Sequence, residues 1–239
     1  MKFKYKRILV KFSGEALAGT KSFGLDFKAV RAIAKELVIL RQSGVDLAVV
    51  VGGGNIFRGK SIPRDSIDQS TADYMGMIGT VINALALQAE IEKAGGECRV
   101  LTALSIKEVA EDYIRRRATS HLKKGRIVLF AAGTGNPYFT TDTAAALRAL
   151  EIGAEVLLKA TTHVDGIYTG DPRKSKSAKK LKHVDSQTAL EKHLHIMDST
   201  AFSLCQDNKL PIVVFKYQTG AIAKILHGQS VGTLVDHKR

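Results

Sequence analysis

Three stretches of the chain carry residue types suited to binding anions. VKFSGEA (Val10 to Ala16), VVVGGGN (Val49 to Asn55) and LFAAGTGN (Leu129 to Asn136) each run from an apolar segment into glycine. Glycine permits positive φ and close backbone approach, so successive N–H groups can converge on a phosphate. One such turn can be purely structural. Three at the ends of strands in one sheet point to a ligand, because open α/β sheets bind at the carboxyl ends of their strands. The second stretch continues as GNIFRGKS (Gly54 to Ser61), which fits the P-loop pattern G-x-x-x-x-G-K-[ST] letter for letter. A working P-loop needs that Lys and Ser to open a helix facing the phosphates. Here Pro63 follows closely, helical periodicity resumes only near Ala72, and no later strand ends in the aspartate of a Walker B element. The match is read as incidental. A G-x-G-x-x-G dinucleotide fingerprint is also missing after the first strand.

The elements that must position these turns alternate. Arg7 to Lys11 reads as a strand. Asp26 then caps a periodic segment with Val30, Ile33, Ala34, Leu37, Val38 and Leu40 on one face and a stop at Gly44. VDLAVVV completes a parallel βαβ unit. The pattern predicts a helix around Ala72 to Ala94, a strand CRVLTAL, a helix over Lys107 to Arg117, a strand from Arg126, a helix from Thr141 to about Glu151 and a strand EVLLKAT. Strands of near-continuous apolar character between helices imply an open, mainly parallel sheet in an αβα sandwich. Beyond Thr162 the texture becomes rich in Gly, Asp, Pro and Lys, followed by two helix signals and the strands PIVVF and GTLV. We expect one domain with two lobes, 1–153 and 154–239.

Composition narrows the class. A chain of 239 residues with 45% apolar content can bury a substantial core. No run approaches the roughly 18 apolar residues of a membrane span, so a cytoplasmic location with no membrane partner is expected. Cys98 and Cys205 have no metal-ligand spacing and read as buried thiols. The charge of +13 attracts polyanions without choosing among them. Its basic runs lack interleaved aromatics, so a solvated surface explains them and nucleic acid is not required.

The stretches VKFSGEAL, GGGNIFRG, ADYMGMIGTVINALALQ, AAGTGNPYFTTDTAAALRALEIGAE, KATTHVDGIYTGDP and KLPIVVF…GTLV occur in order over nearly the whole chain. Together they resemble the amino acid kinase superfamily and, within it, the bacterial uridylate (UMP) kinases. The resemblance implies transfer of the ATP γ-phosphate to UMP, a homohexamer, and GTP and UTP as effectors. It makes Lys11, Arg58, Asp142 and Asp198 the catalytic candidates. Lys11 would touch the phosphates at the transfer point, Arg58 offers a planar fork that can hold two of them, and Asp142 would orient Lys11. Each has a plainer reading: a strand-end lysine, a structural salt bridge, a first-turn helix acid and, for Asp198, a helix N-cap.

On the acceptor side the resemblance places Gly53, Asp73 on the ribose hydroxyls, and the loop Thr134, Gly135, Asn136, Pro137, Tyr138, Phe139, Thr140 and Thr141 around the uracil. As a sequence feature Asp73 reads equally as a helix cap or first-turn acid. ATP contacts are implied for Lys11, Phe12, Ser13, Gly14, Gly54, Arg58, Thr162, Tyr168 and Asp171. ATTHVDG is one residue longer than the commoner family form, which leaves Thr161 and Thr162 as alternatives, and Lys159 could reach phosphate or stay a surface residue. Gly19, Thr20, Lys21, Ser22, Phe23 and Gly24 match a GTP effector stretch whose plain alternative is a flexible loop. Mg²⁺ is implied with ATP. No carboxylate cluster suggests a dedicated metal site.

Overall fold

A computed structural model describes residues 3–59, 66–170, 177–192, 194 and 197–237. Arg7–Phe12 forms β1, Asp46–Val51 β2, Cys98–Thr102 β3, Glu111–Asp112 β4, Ile127–Ala131 β5 and Val156–Thr161 β6. His183–Asp185 is β9, Ile212–Lys216 β10 and Thr233–Asp236 β11. They make one nine-stranded sheet in the order β4-β3-β5-β2-β1-β6-β10-β11-β9. All pairings are parallel except that of β10 with β11. Ile167–Tyr168 (β7) and Lys180–Leu181 (β8) form a separate antiparallel hairpin.

Alternation along β1 sorts side chains to two helical layers, as a period of two requires. Ile8, Val10 and Phe12 pack with the helices α2 (Phe27–Gln42), α3 (Gln69–Lys93) and α8 (Ala221–Leu226). Leu9 packs with α4 (Arg115–Lys123), α5 (Thr141–Glu151) and α7 (Ser199–Asp207). The short helices α1 (Gly14–Ala18) and α6 (Ser186–Glu191) complete the two layers. The sequence-based reading of an αβα sandwich therefore holds. Asp26 caps α2 as expected, accepting the Lys28 N–H at 2.9 Å.

One expected helix is absent. Glu111–Asp112 pairs with Leu101 and Thr102 as a strand, and α4 begins only at Arg115. The apolar spacing that drives α4 is Ala118 and Leu122, both buried, and lies beyond the expected span of Lys107 to Arg117. Upstream, Glu111 is drawn to Arg99, Arg117 and His121, and the Tyr113 ring lies 3.6 Å from the Arg148 guanidinium. Tertiary contacts override a moderate local propensity.

Candidate active site

β1 lies at the switch point of the sheet, with β2 on one side and β6 on the other. Such a point opens a crevice at the carboxyl ends of the strands. Lys11 and Lys159 are register partners there on β1 and β6. Both continue the α5-facing rows that begin with Leu9 and Leu157. Asp142, in the first turn of α5, stands over them. Its Oδ1 lies 2.9 Å from Lys11 Nζ and its Oδ2 lies 2.5 Å from Lys159 Nζ. Burial pushes the Asp142 pKa up, but the charges and hydrogen bonds of the two lysines outweigh it and hold the carboxyl below its ordinary range. Burial, aided by the charge of Lys11 and opposed by Asp142, lowers the pKa of Lys159.

The glycine turn after β2 is pressed against its neighbours. Gly52 N–H donates to Phe12 O at 2.9 Å, which joins the first two turns. A Cβ on Gly53 would stand 2.5 Å from Gly76 O and 3.1 Å from Thr80 N, both backbone atoms of α3. One on Gly54 would meet nothing closer than the Arg58 guanidinium at 3.9 Å. Gly53→Ala should thus lower the melting temperature by roughly 3–8 °C, since overpacking against backbone cannot relax through a rotamer. Gly54→Ala should leave it unchanged, and thermal denaturation of the two variants side by side checks this.

Two buried carboxamides fix the same turn from behind. Asn83 Nδ2 donates to Gly52 O at 2.7 Å and to Asn55 Oδ1 at 2.6 Å, and Asn55 Nδ2 donates to Gly24 O at 2.8 Å. Gly24 N–H in turn donates to Asn55 O at 2.7 Å. The stretch Gly19 to Gly24 is therefore tied to the glycine turn. Its Thr20, Lys21, Ser22 and Phe23 are exposed.

Beside this turn lies a cleft of about 360 Å³. Gly53, Asp73, Thr134, Tyr138, Thr140 and Thr141 line it, together with Phe139. Asp73 is not the cap of α3, because Asp68 is, accepting the Thr71 N–H. The Asp73 carboxylate instead accepts the Tyr138 N–H at 2.7 Å and the Gln69 side-chain amide at 2.8 Å, bridging the helix to the loop. Tyr138 has φ +70°, a left-handed conformation that a bulky residue holds only under constraint. Thr140 caps α5, accepting the N–H groups of Asp142 and Thr143. Gly135 packs on Ala103 O, the side chain of Asn136 bonds within the loop, and Pro137 is not on the cleft wall.

The remaining candidates separate. Asp198 caps α7, and its two oxygens also accept the hydroxyls of Thr140 and Thr143 at 2.5 and 2.9 Å, so it buttresses the start of α5. The Phe12 ring is buried edge-on against Tyr217 and leaves only its backbone for a ligand. Any side chain on Gly14 would overlap Asn55 Oδ1 at 2.2 Å. Ser13 Oγ is buried with no hydrogen-bond partner among the described residues. The Thr162 hydroxyl donates to Glu15 Oε2 at 3.0 Å, whereas that of Thr161 closes onto Val164 O. The Tyr168 hydroxyl, on β7, donates to Asp165, just before that strand, at 2.7 Å. Asp171, Lys60 and Ser61 lie outside the described residues. Glu15 was not singled out from the sequence, yet it contacts Arg58, Thr162 and His163.

Among the described residues no three His, Cys, Asp or Glu side chains converge to hold a metal ion. None of the described helices is long and apolar enough to cross a membrane. Both cysteine thiols are buried, which pushes their pKa values up to about 12.

A lysine pair sharing one carboxylate, set beside glycine turns at the switch point of a parallel sheet, can neutralise anionic groups that meet there. Residues 6–216 match the model of the amino acid kinase family, and the chain belongs to that family. It is similar to the crystal structure of a UMP kinase from Bacillus anthracis, with 38% identity and a TM-score of 0.94, covering 98% of this chain and 97% of that one. A UMP kinase from Ureaplasma parvum is similar at 33% identity and a TM-score of 0.92, covering 98% and 99%. A uridylate kinase from Archaeoglobus fulgidus is similar at 27% identity and a TM-score of 0.75, covering 95% and 99%.

Proposed function

We propose that the protein is a UMP kinase that transfers the γ-phosphoryl group of ATP to UMP, giving UDP and ADP. The observation that carries this reading is the continuity of two sites. The cleft between Asp73 and the 134–141 loop opens beside the glycine turn, which is bonded through Gly52 and Phe12 to the strand that carries Lys11. The similar structures named as UMP kinases support it over nearly their full length.

Donor and acceptor are both anionic, so catalysis is a matter of alignment and charge neutralisation. UMP would occupy the cleft, its ribose hydroxyls on Asp73 and its base under the 134–141 loop. ATP would run from the Lys11–Gly14 turn toward Thr162, Tyr168 and the 154–239 lobe. The Ser13 hydroxyl, which lacks a partner among the described residues, fits a phosphate oxygen, since a buried polar group calls for one. Lys11 and Lys159, fixed by Asp142, would neutralise charge as it shifts between the phosphates. Asp198 would act through Thr140 and Thr143. The described carboxylates do not form a magnesium cage. Mg²⁺ would arrive with the nucleotide.

The exposed apolar residues Tyr74, Ile78 and Ile82 recur at helical spacing on α3, with Met75 alongside. An unpartnered stripe of this kind favours association with further copies, in keeping with a homohexamer. The tie between Gly24 and Asn55 gives GTP at the 19–24 loop a route to the phosphate turn, with UTP as a second effector. A cytoplasmic place in pyrimidine nucleotide synthesis completes the reading.

Coupled ADP release measured with UMP, CMP, dTMP, acetylglutamate and aspartate tests it. UMP should be preferred by at least about 10²-fold in kcat/KM, because a pocket reading polar edges strands its donors on the wrong base. Equal rates with another nucleotide, or turnover of a small acid in place of UMP, would overturn the assignment.

A further inference from the structure

The carboxylate of Glu15 stands among groups suited to holding phosphate. Its Oε1 lies 2.5 Å from Arg58 Nη2, while its Oε2 accepts the Thr162 hydroxyl at 3.0 Å and lies 3.3 Å from His163 Nε2. Glu15 belongs to α1, directly after the Ser13–Gly14 turn. Arg58 follows the glycine turn, and Thr162 and His163 follow the end of β6. One side chain thus joins three segments that approach the phosphate site from different directions.

An acid in a site for polyphosphate is unfavourable by simple repulsion, so its presence needs a reason. Stability is a weak one. The Glu15 and Arg58 side chains are 39% and 57% exposed, and ion pairs in such surroundings contribute little to stability. Orientation is a stronger one. An arginine side chain is long and loses rotamer freedom when fixed, and a charge-assisted bond to a carboxylate can hold its planar fork before a ligand arrives. The Arg58 guanidinium lies beside Gly54, 3.9 Å from where a Cβ at that position would stand. Hydrogen bonding from Arg58, against the opposing effect of burial and with the help of Thr162, keeps the Glu15 carboxyl below its ordinary range, hence ionised at neutral pH. The contact through Nη2 takes one edge of the fork. A guanidinium has five N–H donors, so a single carboxylate contact does not exhaust its hydrogen-bonding capacity.

We propose that Glu15 is a positioning residue for phosphoryl transfer, holding Arg58 beside the glycine turn and bracing it against Thr162 and His163. It acts on the donor side and through Arg58, not on the acceptor cleft, whose lining does not include it. This rests on the reading of Arg58 and Thr162 as contacts of the donor nucleotide.

The test is a double-mutant cycle of wild type, Glu15→Gln, Arg58→Ala and the double variant. It is read by steady-state kinetics with each substrate varied and by calorimetric binding of MgATP without UMP. Gln keeps the length of the side chain and removes its charge. Glu15→Gln should lower kcat/KM for ATP about tenfold, the scale of a bond between charged groups. KM for UMP should stay within about twofold and the melting temperature should not change, a split that a general structural defect would not give. In the Arg58→Ala background the substitution should have no further effect, since the two residues act as a unit. Multiplicative effects in the double variant, or equal losses on the ATP and UMP sides, would overturn the proposal. The MgATP-binding cycle applies the same criterion without UMP. Failure of wild type to use UMP would therefore remove the UMP kinase reading and leave this one testable by itself.

Discussion

Lys11→Ala should reduce kcat roughly 10³-fold, the scale on which removing a group that stabilises developing charge is felt, while Lys60→Ala should stay within about threefold of wild type. The two substitutions separate a site built around Lys11 from the P-loop spelled by GNIFRGKS. Lys11 is a buried ammonium at the end of a central strand, 2.9 Å from Asp142 and in register with Lys159. Neighbouring strands hold it at fixed height above the sheet, and Asp142 fixes its head. That is the preorganisation needed where charge shifts between two phosphates. Ammonium placement of this kind is worth more in a partly dry crevice than in water. Among the described residues, the next helix after the glycine turn begins at Gln69, capped by Asp68, whereas β1 leads through Ser13 straight into α1 at Gly14. Strand, turn and helix thus follow one another directly after Lys11. Single-turnover assays at saturating ATP and UMP would show the difference, and a large loss in Lys60→Ala with a small one in Lys11→Ala would restore the P-loop reading.

What the sequence could disclose follows from the range of the interactions involved. Strands β1, β2, β5 and β6 and helices α2, α3 and α5 were legible because local periodicity and caps specify them. So was the grouping of chemistry at strand ends. The short strand at Glu111–Asp112 was not, since it exists through pairing with Leu101 and Thr102 and through the ion pairs of Glu111. Glu15 was invisible for the same reason. Its partners Arg58 and Thr162 lie 43 and 147 residues away, and SGEAL carries no local sign of them. Asp73 could be narrowed to a helix start but not to its bond with Tyr138, 65 residues on. That Thr162 and not Thr161 meets Glu15 depends on side-chain direction at the end of β6, which alignment to a shorter loop does not supply. In each case composition offered the residue and the long-range pairing gave it a neighbour.

Asp142→Asn should cost as much turnover as the loss of Lys11, roughly 10²–10³-fold in kcat, for a reason that also predicts how stability responds to pH. The native carboxylate gives one oxygen to each lysine. An asparagine of the same size offers one acceptor and one donor, so one of the two ammonium groups must face an N–H. The two cations then repel, and the precise height of Lys11 is lost. In wild type, the depressed pKa of Asp142 contributes stability that is fully present above the unfolded value of about 3.9 and is lost as pH falls through the folded value. Lys159 has the opposite sense. Its pKa is lowered in the fold, chiefly by burial, so the unfolded chain binds its proton more readily and stability rises with pH across that window. Removing Asp142 takes away the charge that favours protonated Lys159 and brings its titration nearer neutrality. The melting temperature of Asp142→Asn should therefore lie below wild type at pH 7, and the gap should narrow toward pH 9 as Lys159 discharges. The same variant should lose its acid-side dependence on residue 142 below about pH 4. A gap that is constant from pH 7 to 9, together with near-normal turnover, would show that Asp142 does not hold the two lysines in their working positions.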